Sequence, residues 1–220
     1  MKPLFAITAV LTLAASLSQA ATVSTIDTID DADHFYGFED LPRARSYALI
    51  SGVETTTGDN ITVTQVNGLS AIWTTFLPGG GEGDRAWFPV SGDNGYTAIK
   101  TADGSDLDAL GLLVGSGFIR DIAGHYSLRL DGAEVASGSF VNSREFSYLS
   151  FSGTIFDEVY LLSTPTSSFS FFGDGTFNGL VVDAIEVSLA PPATIPLPAG
   201  GLLLLSGLAG MGAMRRLKRG

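Results

Sequence analysis

The chain predicts an all-β protein, an antiparallel β-sandwich, and three observations carry that prediction. Short runs of Val, Ile, Leu, Phe and Tyr recur between residues 60 and 189, each closed by Gly, Asp, Asn or Ser. That is the texture of strands and tight turns. Few stretches of the same region keep a helical period. Two segments also alternate openly. In HYSLRLDG, Tyr126, Leu128 and Leu130 share one face and Ser127 and Arg129 the other. In VVDAIEVSL, Val181, Asp183, Ile185, Val187 and Leu189 alternate with Val182, Ala184, Glu186 and Ser188.

Taken in order, strands are expected at 60–66, 69–77, 96–102, 109–118, 125–132, 133–140, 144–153, 156–164, 167–173 and 180–189. Asp131-Gly132 joins two of them, a pair that readily adopts the turn of a tight hairpin. LDALGLLVG is open to a second reading as a short helix. About ten short strands fit a jelly roll or an immunoglobulin-like sandwich, with a closed barrel also open. The jelly roll is preferred because strands lie on both sides of glycine-rich connections such as LPGGGEGDRAWF.

Charge narrows the company such a domain keeps. All 23 acidic residues fall between Asp27 and Glu186, against seven of the 12 basic ones, which leaves that region near −16 (7 positive, 23 negative). Nucleic acid and anionic lipid both require a cationic footprint, so neither is an expected partner. Cations, neutral glycans and solvent remain. Cysteine is absent, so an exported chain of this kind is held by its core or by bound metal rather than by disulfides.

The two ends predict export. MKPLFAITAVLTLAASLSQA has a basic start, an apolar run from Leu4 to Ala15, and small residues Ser18 and Ala20 where signal peptidase reads its −3 and −1 positions. Residues 1–20 are therefore expected as a signal peptide, an N-terminal helix that is removed, and 21–190 as the β-sandwich domain. After Leu189, APPATIPLP cannot continue a strand ladder; 191–196 reads as a proline-rich linker. From Leu197 to Met214 no residue is charged, and Arg215, Arg216, Lys218 and Arg219 follow. Eighteen helical residues rise about 27 Å, near the lower limit for crossing the hydrocarbon of a bilayer. A transmembrane helix at 197–214 would keep the basic cluster cytoplasmic and the acidic domain outside, the side to which the signal peptide also directs it.

Residues 195–220, IPLPAGGLLLLSGLAGMGAMRRLKRG, resemble the PEP-CTERM class of bacterial sorting domains, in its Val-Pro-Leu-Pro-Ala (VPLPA-CTERM) variant. Pro196, Leu197, Pro198 and Ala199 match the variant's motif, and Ile195 stands in place of its valine. The resemblance covers the last 26 residues only. It implies a Gram-negative exported protein whose motif is recognised by an exosortase-type membrane cysteine protease. It further implies an inner-membrane-anchored precursor, cleavage near the motif, and passage into the cell envelope or extracellular matrix, often in organisms that make exopolysaccharide.

For the domain itself, a non-enzymatic role is expected, with exopolysaccharide as the candidate ligand. Calcium is the candidate cofactor, because extracellular sites for it gather carboxylate and carbonyl oxygens at loops. Six acidic residues lie between Asp27 and Asp40, and Asp183 sits among apolar neighbours where a carboxylate needs a partner or a metal. Glu39 near the first strand and Asp183 in the last resemble, in order and position, the calcium ligands of jelly-roll carbohydrate-binding modules. Among the aromatics Trp73, Trp87, Phe88, Tyr96 and Tyr126, Trp87 is expected to be the exposed glycan contact, since it follows a glycine-rich loop. His34 and His125 are too few for a zinc site and no Gly-x-Ser-x-Gly elbow is present. The alternatives are a glycan hydrolase using paired carboxylates, with Glu39, Asp40, Asp157 and Glu158 as candidates, and a purely structural matrix protein.

Overall fold

The computed structural model describes residues 22–24, 28–41, 54–74, 81–116, 122–163 and 179–192. The chain divides into two units, Met1–Ala190 and Pro191–Gly220. The signal peptide, the strand at 167–173, the motif Ile195–Ala199, the apolar segment 197–214 and the basic cluster Arg215–Arg219 lie outside the described residues. Among the described residues no helix is long and apolar enough to cross a membrane.

The described residues hold eleven strands in one antiparallel hydrogen-bonded system: β1 (Thr22–Ser24), β2 (His34–Tyr36), β3 (Thr55–Gly58), β4 (Ile61–Thr74), β5 (Arg85–Thr101), β6 (Leu107–Gly115), β7 (Ile122–Leu130), β8 (Ala133–Asn142), β9 (Ser147–Ser152), β10 (Glu158–Ser163) and β11 (Val181–Leu189). Strands expected separately at 60–66 and 69–77 join as β4, and that at 96–102 is the end of the 17-residue β5. LDALGLLVG is strand, not helix. Leu107, Leu110, Leu112 and Val114 are buried there, and the ladders to β11 and β9 occupy both edges of β6.

The long β4–β5 hairpin makes the sandwich. Its outer end joins β11 at Trp87, leading to an arm ordered β11, β6, β9, β1. Its other end joins β10 through Thr97–Lys100, leading to β7 and β8. Between the two the register breaks: Val66 pairs Tyr96 while Gly68 pairs Ser91, so one β4 residue, Asn67 with φ 53°, opposes four of β5. Such a bulge bends a strand pair and strengthens its twist, which lets one hairpin serve both arms. The arms meet across the core, where the Tyr126 ring of β7 lies 4.9 Å from that of Phe151 in β9. Phe38, Trp87, Phe151 and Phe156 are fully buried, each contributing about 1.5–3 kcal/mol by leaving water.

Two tight turns follow from local sequence. Asp131 and Gly132 (φ 52° and 77°) close β7–β8, as the Asp-Gly pair predicts, and Asp59 and Asn60 (φ 42° and 62°) close β3–β4. Both central residues of such a turn need positive φ, which Gly, Asn and Asp tolerate best. On the inner face of β7–β8 the ring of Phe140 lies over Gly124; a Cβ there would meet its Cζ at 2.3 Å.

Candidate functional site

Strand β11 changes face at its centre. Its ladder with β6 shifts between Asp183 and Glu186, and Ala184 sits at φ 46°. One extra residue in a period-2 strand moves everything beyond it to the opposite face. Val182, Ile185 and Val187 therefore all enter the main core, while Val181 packs with Ala86 and Phe88 in a second cluster. The unbroken alternation expected from Val181 to Leu189 is thereby corrected: Asp183 does not share a face with Ile185 and Val187.

The bulge buries Asp183 completely. Its Oδ1 accepts from its neighbour Ala184 N at 2.8 Å, and its Oδ2 accepts from Glu82 N, 2.8 Å away in the Gly81–Arg85 loop. Burial pushes its carboxyl up to about 8; the two amides pull the other way, and the charges of Glu82 and Glu39 add to the rise. Glu39 grips the far side of the same loop, its Oε1 accepting from Asp84 N at 2.6 Å and Arg85 N at 2.9 Å. Glu39 is placed by a turn in which Phe38 has φ 62° and Leu41 N donates to Phe38 O at 3.1 Å. Gly83 (φ 64°) is required at the contact, because a Cβ would lie 2.3 Å from Glu39 Oε1.

The structure thus brings Glu39 and Asp183 onto one loop and adds Glu82, which the sequence reading passed over. Its GGGEGD segment carries no motif, so only the fold could have selected it. Beside this clasp opens a cleft of about 400 Å³, lined by Phe35, Tyr36, Gly37, Glu39, Asp40, Gly58, Asp59 and Glu82. Among the described residues no three acidic or imidazole groups converge as a metal cage. For calcium the fit is electrostatic: two carboxylates hold the loop that carries a third, Glu82; one of the two, Asp183, is sealed from water, and the charges acting on it are of its own sign.

The remaining candidates separate. Trp87 is fully buried, not exposed; its ring stacks 6.1 Å from Phe38, which in turn lies 4.5 Å from Tyr36. The glycine-rich loop before it misled, because β5 begins at Arg85 and Trp87 is already inside the sheet, paired with both Ile72 and Val182. Phe88 is also buried. Tyr126 packs on Phe151, and Tyr96 lies 4.4 Å from Tyr160, a partner not foreseen. Trp73 lies in β4, and its side chain is outside the described residues. His34 is held at the β3–β4 turn by Asp59 Oδ1 at 3.4 Å and Asn60 Nδ2 at 3.2 Å. Of the paired carboxylates, Glu39 and Asp40 line the cleft. Asp157 instead accepts from Asp131 N at 2.8 Å at the β7–β8 turn, and Glu158 lies between Lys100 and Arg129.

No protein-family model and no curated protein matches the chain. Among solved structures, the chain is similar to a family 29 carbohydrate-binding module from Piromyces equi at 14% identity and a TM-score of 0.37, over 80% of this chain and 95% of that one. It is also similar to the enzymatically active domain of tailspike protein 4 of bacteriophage CBA120, at 9% identity and a TM-score of 0.35. That match spans 60% of this chain and 19% of the tailspike.

Proposed function

We propose that this chain is an exported, non-enzymatic protein of the cell envelope or extracellular matrix whose β-sandwich, of jelly-roll type, binds polysaccharide. In this reading signal peptidase removes residues 1–20. The helix at 197–214 docks the precursor in the inner membrane, and an exosortase-type protease acts at Ile195–Ala199. The observation that favours a binding role over a hydrolytic one is the state of Asp183. Among the described residues it is the one carboxyl raised toward the range of a general acid, yet it is sealed from solvent with both oxygens on backbone amides. A glycosidase acid must reach the leaving oxygen. Calcium enters as a structural ion at the clasp, with the Glu39 and Asp183 carboxylates supplying oxygens in place of, or beside, their amide donors and loop carbonyls or water completing the shell.

The hydrolase reading has one feature in its favour, the presence of Glu39 and Asp40 in the same cleft. Incubating the protein with its host's exopolysaccharide separates the two. Retention on the immobilised polymer without release of new reducing ends is expected. Chain shortening that disappears in Glu39→Gln would replace binding with catalysis, and neither retention nor shortening would leave a purely structural role.

A further inference from the structure

The outer face of the β3, β4, β5, β10, β7, β8 arm carries a second surface, on the far side of the sheet from the core. In β10, Val159, Leu161 and Ser163 are buried while Glu158, Tyr160 and Leu162 alternate with them outward. Residues paired directly across strands share a face, so the outward row at Tyr160 runs through Ala98 on one side and Ser127 on the other. Tyr96, two residues from Ala98, belongs to the same face. The two tyrosine rings are 4.4 Å apart, and the Arg129 guanidinium lies 5.1 Å from the centre of the Tyr160 ring. That packing holds the aromatic step in one orientation, so little side-chain freedom is lost when a ligand meets it.

Hydroxyls flank the step on both sides. Toward β3 they are paired across strands, Thr57 with Thr62 at 3.0 Å and Thr55 with Thr64 at 3.2 Å. Toward β8 the Glu134 carboxylate accepts from Ser127 at 2.8 Å and Ser137 at 2.7 Å. Charge on the face balances, Lys100 and Arg129 against Glu134 and Glu158, in a chain of net charge −11. Six strands at their normal spacing make the surface about 24 Å wide. A protein partner would want a contiguous apolar centre, and an ionic one a surplus of one sign. An aromatic step framed by hydroxyls, with no net charge, suits a sugar ring: its apolar face meets the aromatics and its hydroxyl rim meets the threonines and serines.

We infer that this face is the platform for an uncharged polysaccharide chain, with one sugar seated at Tyr96–Tyr160. The inference rests on the polysaccharide-binding reading above and adds where the polymer lies and its charge class. The test is affinity electrophoresis of the full chain in detergent, through gels holding a neutral β-glucan, a neutral galactomannan, the host's own exopolysaccharide, or acidic alginate. Wild type is expected to be retarded by at least one neutral polymer, and Tyr160→Ala to weaken that binding about tenfold, as loss of a central aromatic contact does. Thr64→Arg, a half-exposed position that lays a long side chain over the same face, is expected to do likewise and covers a Tyr160→Ala that fails to fold. Phe35→Ala, in the cleft beside the clasp, is expected to change nothing. Unchanged retardation of Thr64→Arg, loss in Phe35→Ala, or retardation by alginate alone would each overturn the platform while leaving polysaccharide binding intact. No retardation of wild type by any of the four would overturn both.

Discussion

Asp183→Asn isolates the group on which the clasp turns. The ordinary carboxyl value is 3.8 and burial lifts this one to about 8. Between those limits the folded state binds the proton more tightly than the unfolded chain does. The group's contribution is therefore complete below about pH 4 and is lost as pH rises to about 8. The slope is at most about 1.4 kcal/mol per pH unit, a few kcal/mol across the window. Asparagine cannot ionise, so it removes this dependence. It has one acceptor oxygen for two amide donors, Ala184 N and Glu82 N, which costs about 1 kcal/mol at every pH. Urea-unfolding midpoints of both proteins, measured from about pH 3.5 to about pH 9, should cross at about pH 4.5. The variant is the weaker below about pH 4.5 and the stronger near pH 8, and taking the difference between the two cancels the carboxylates that do not act on Asp183, leaving only the coupling to Glu82 and Glu39. Parallel curves would mean that Asp183 is not a sealed, solvent-starved acid, and the reasoning would fail.

Calcium should act where Asp183 is ionised. At ten times its dissociation constant the ion should raise stability by about 1.4 kcal/mol above pH 8 and have little effect near pH 5, with the gain lost in Glu39→Gln; equal melting in calcium and chelator would exclude it from the clasp. Gly124→Ala should cost about 1–3 kcal/mol by forcing a methyl into the Phe140 ring, seen as a lower urea midpoint; an unchanged midpoint would refute the ring's placement. Trp87→Ala should cost about 3–5 kcal/mol as a core truncation, leaving glycan binding intact in whatever fraction stays folded. Selective loss of binding without loss of stability would return Trp87 to the surface.

What could be read from sequence followed its local periodicity. The alternation of HYSLRLDG and the Asp-Gly pair are local signals, and β7, β8 and their turn stand where they point. Asp183 was conspicuous as a carboxylate in an apolar run, and Glu39 by its place near the first strand; the fold brings both to one loop. The misreadings are non-local. A bulge at Asp183–Ala184 leaves no mark in a one-dimensional pattern, so the face assignment of β11 slipped by one residue. Trp87 looked exposed because glycines precede it, but burial there is decided by β4 and β11, far away in the chain. The Tyr96–Tyr160 step depends on the register between β5 and β10, which pairing alone reveals.

The central claim is that the domain is delivered through its tail and then set free. Intact mass spectrometry of the protein from its native host, fractionated into membrane and medium, tests it most directly. The account predicts a membrane precursor carrying Arg219 and a released form ending near Pro196–Ala199, the latter absent when Pro196 and Pro198 are substituted. A single membrane-bound species that retains Arg219, with none in the medium, would contradict it.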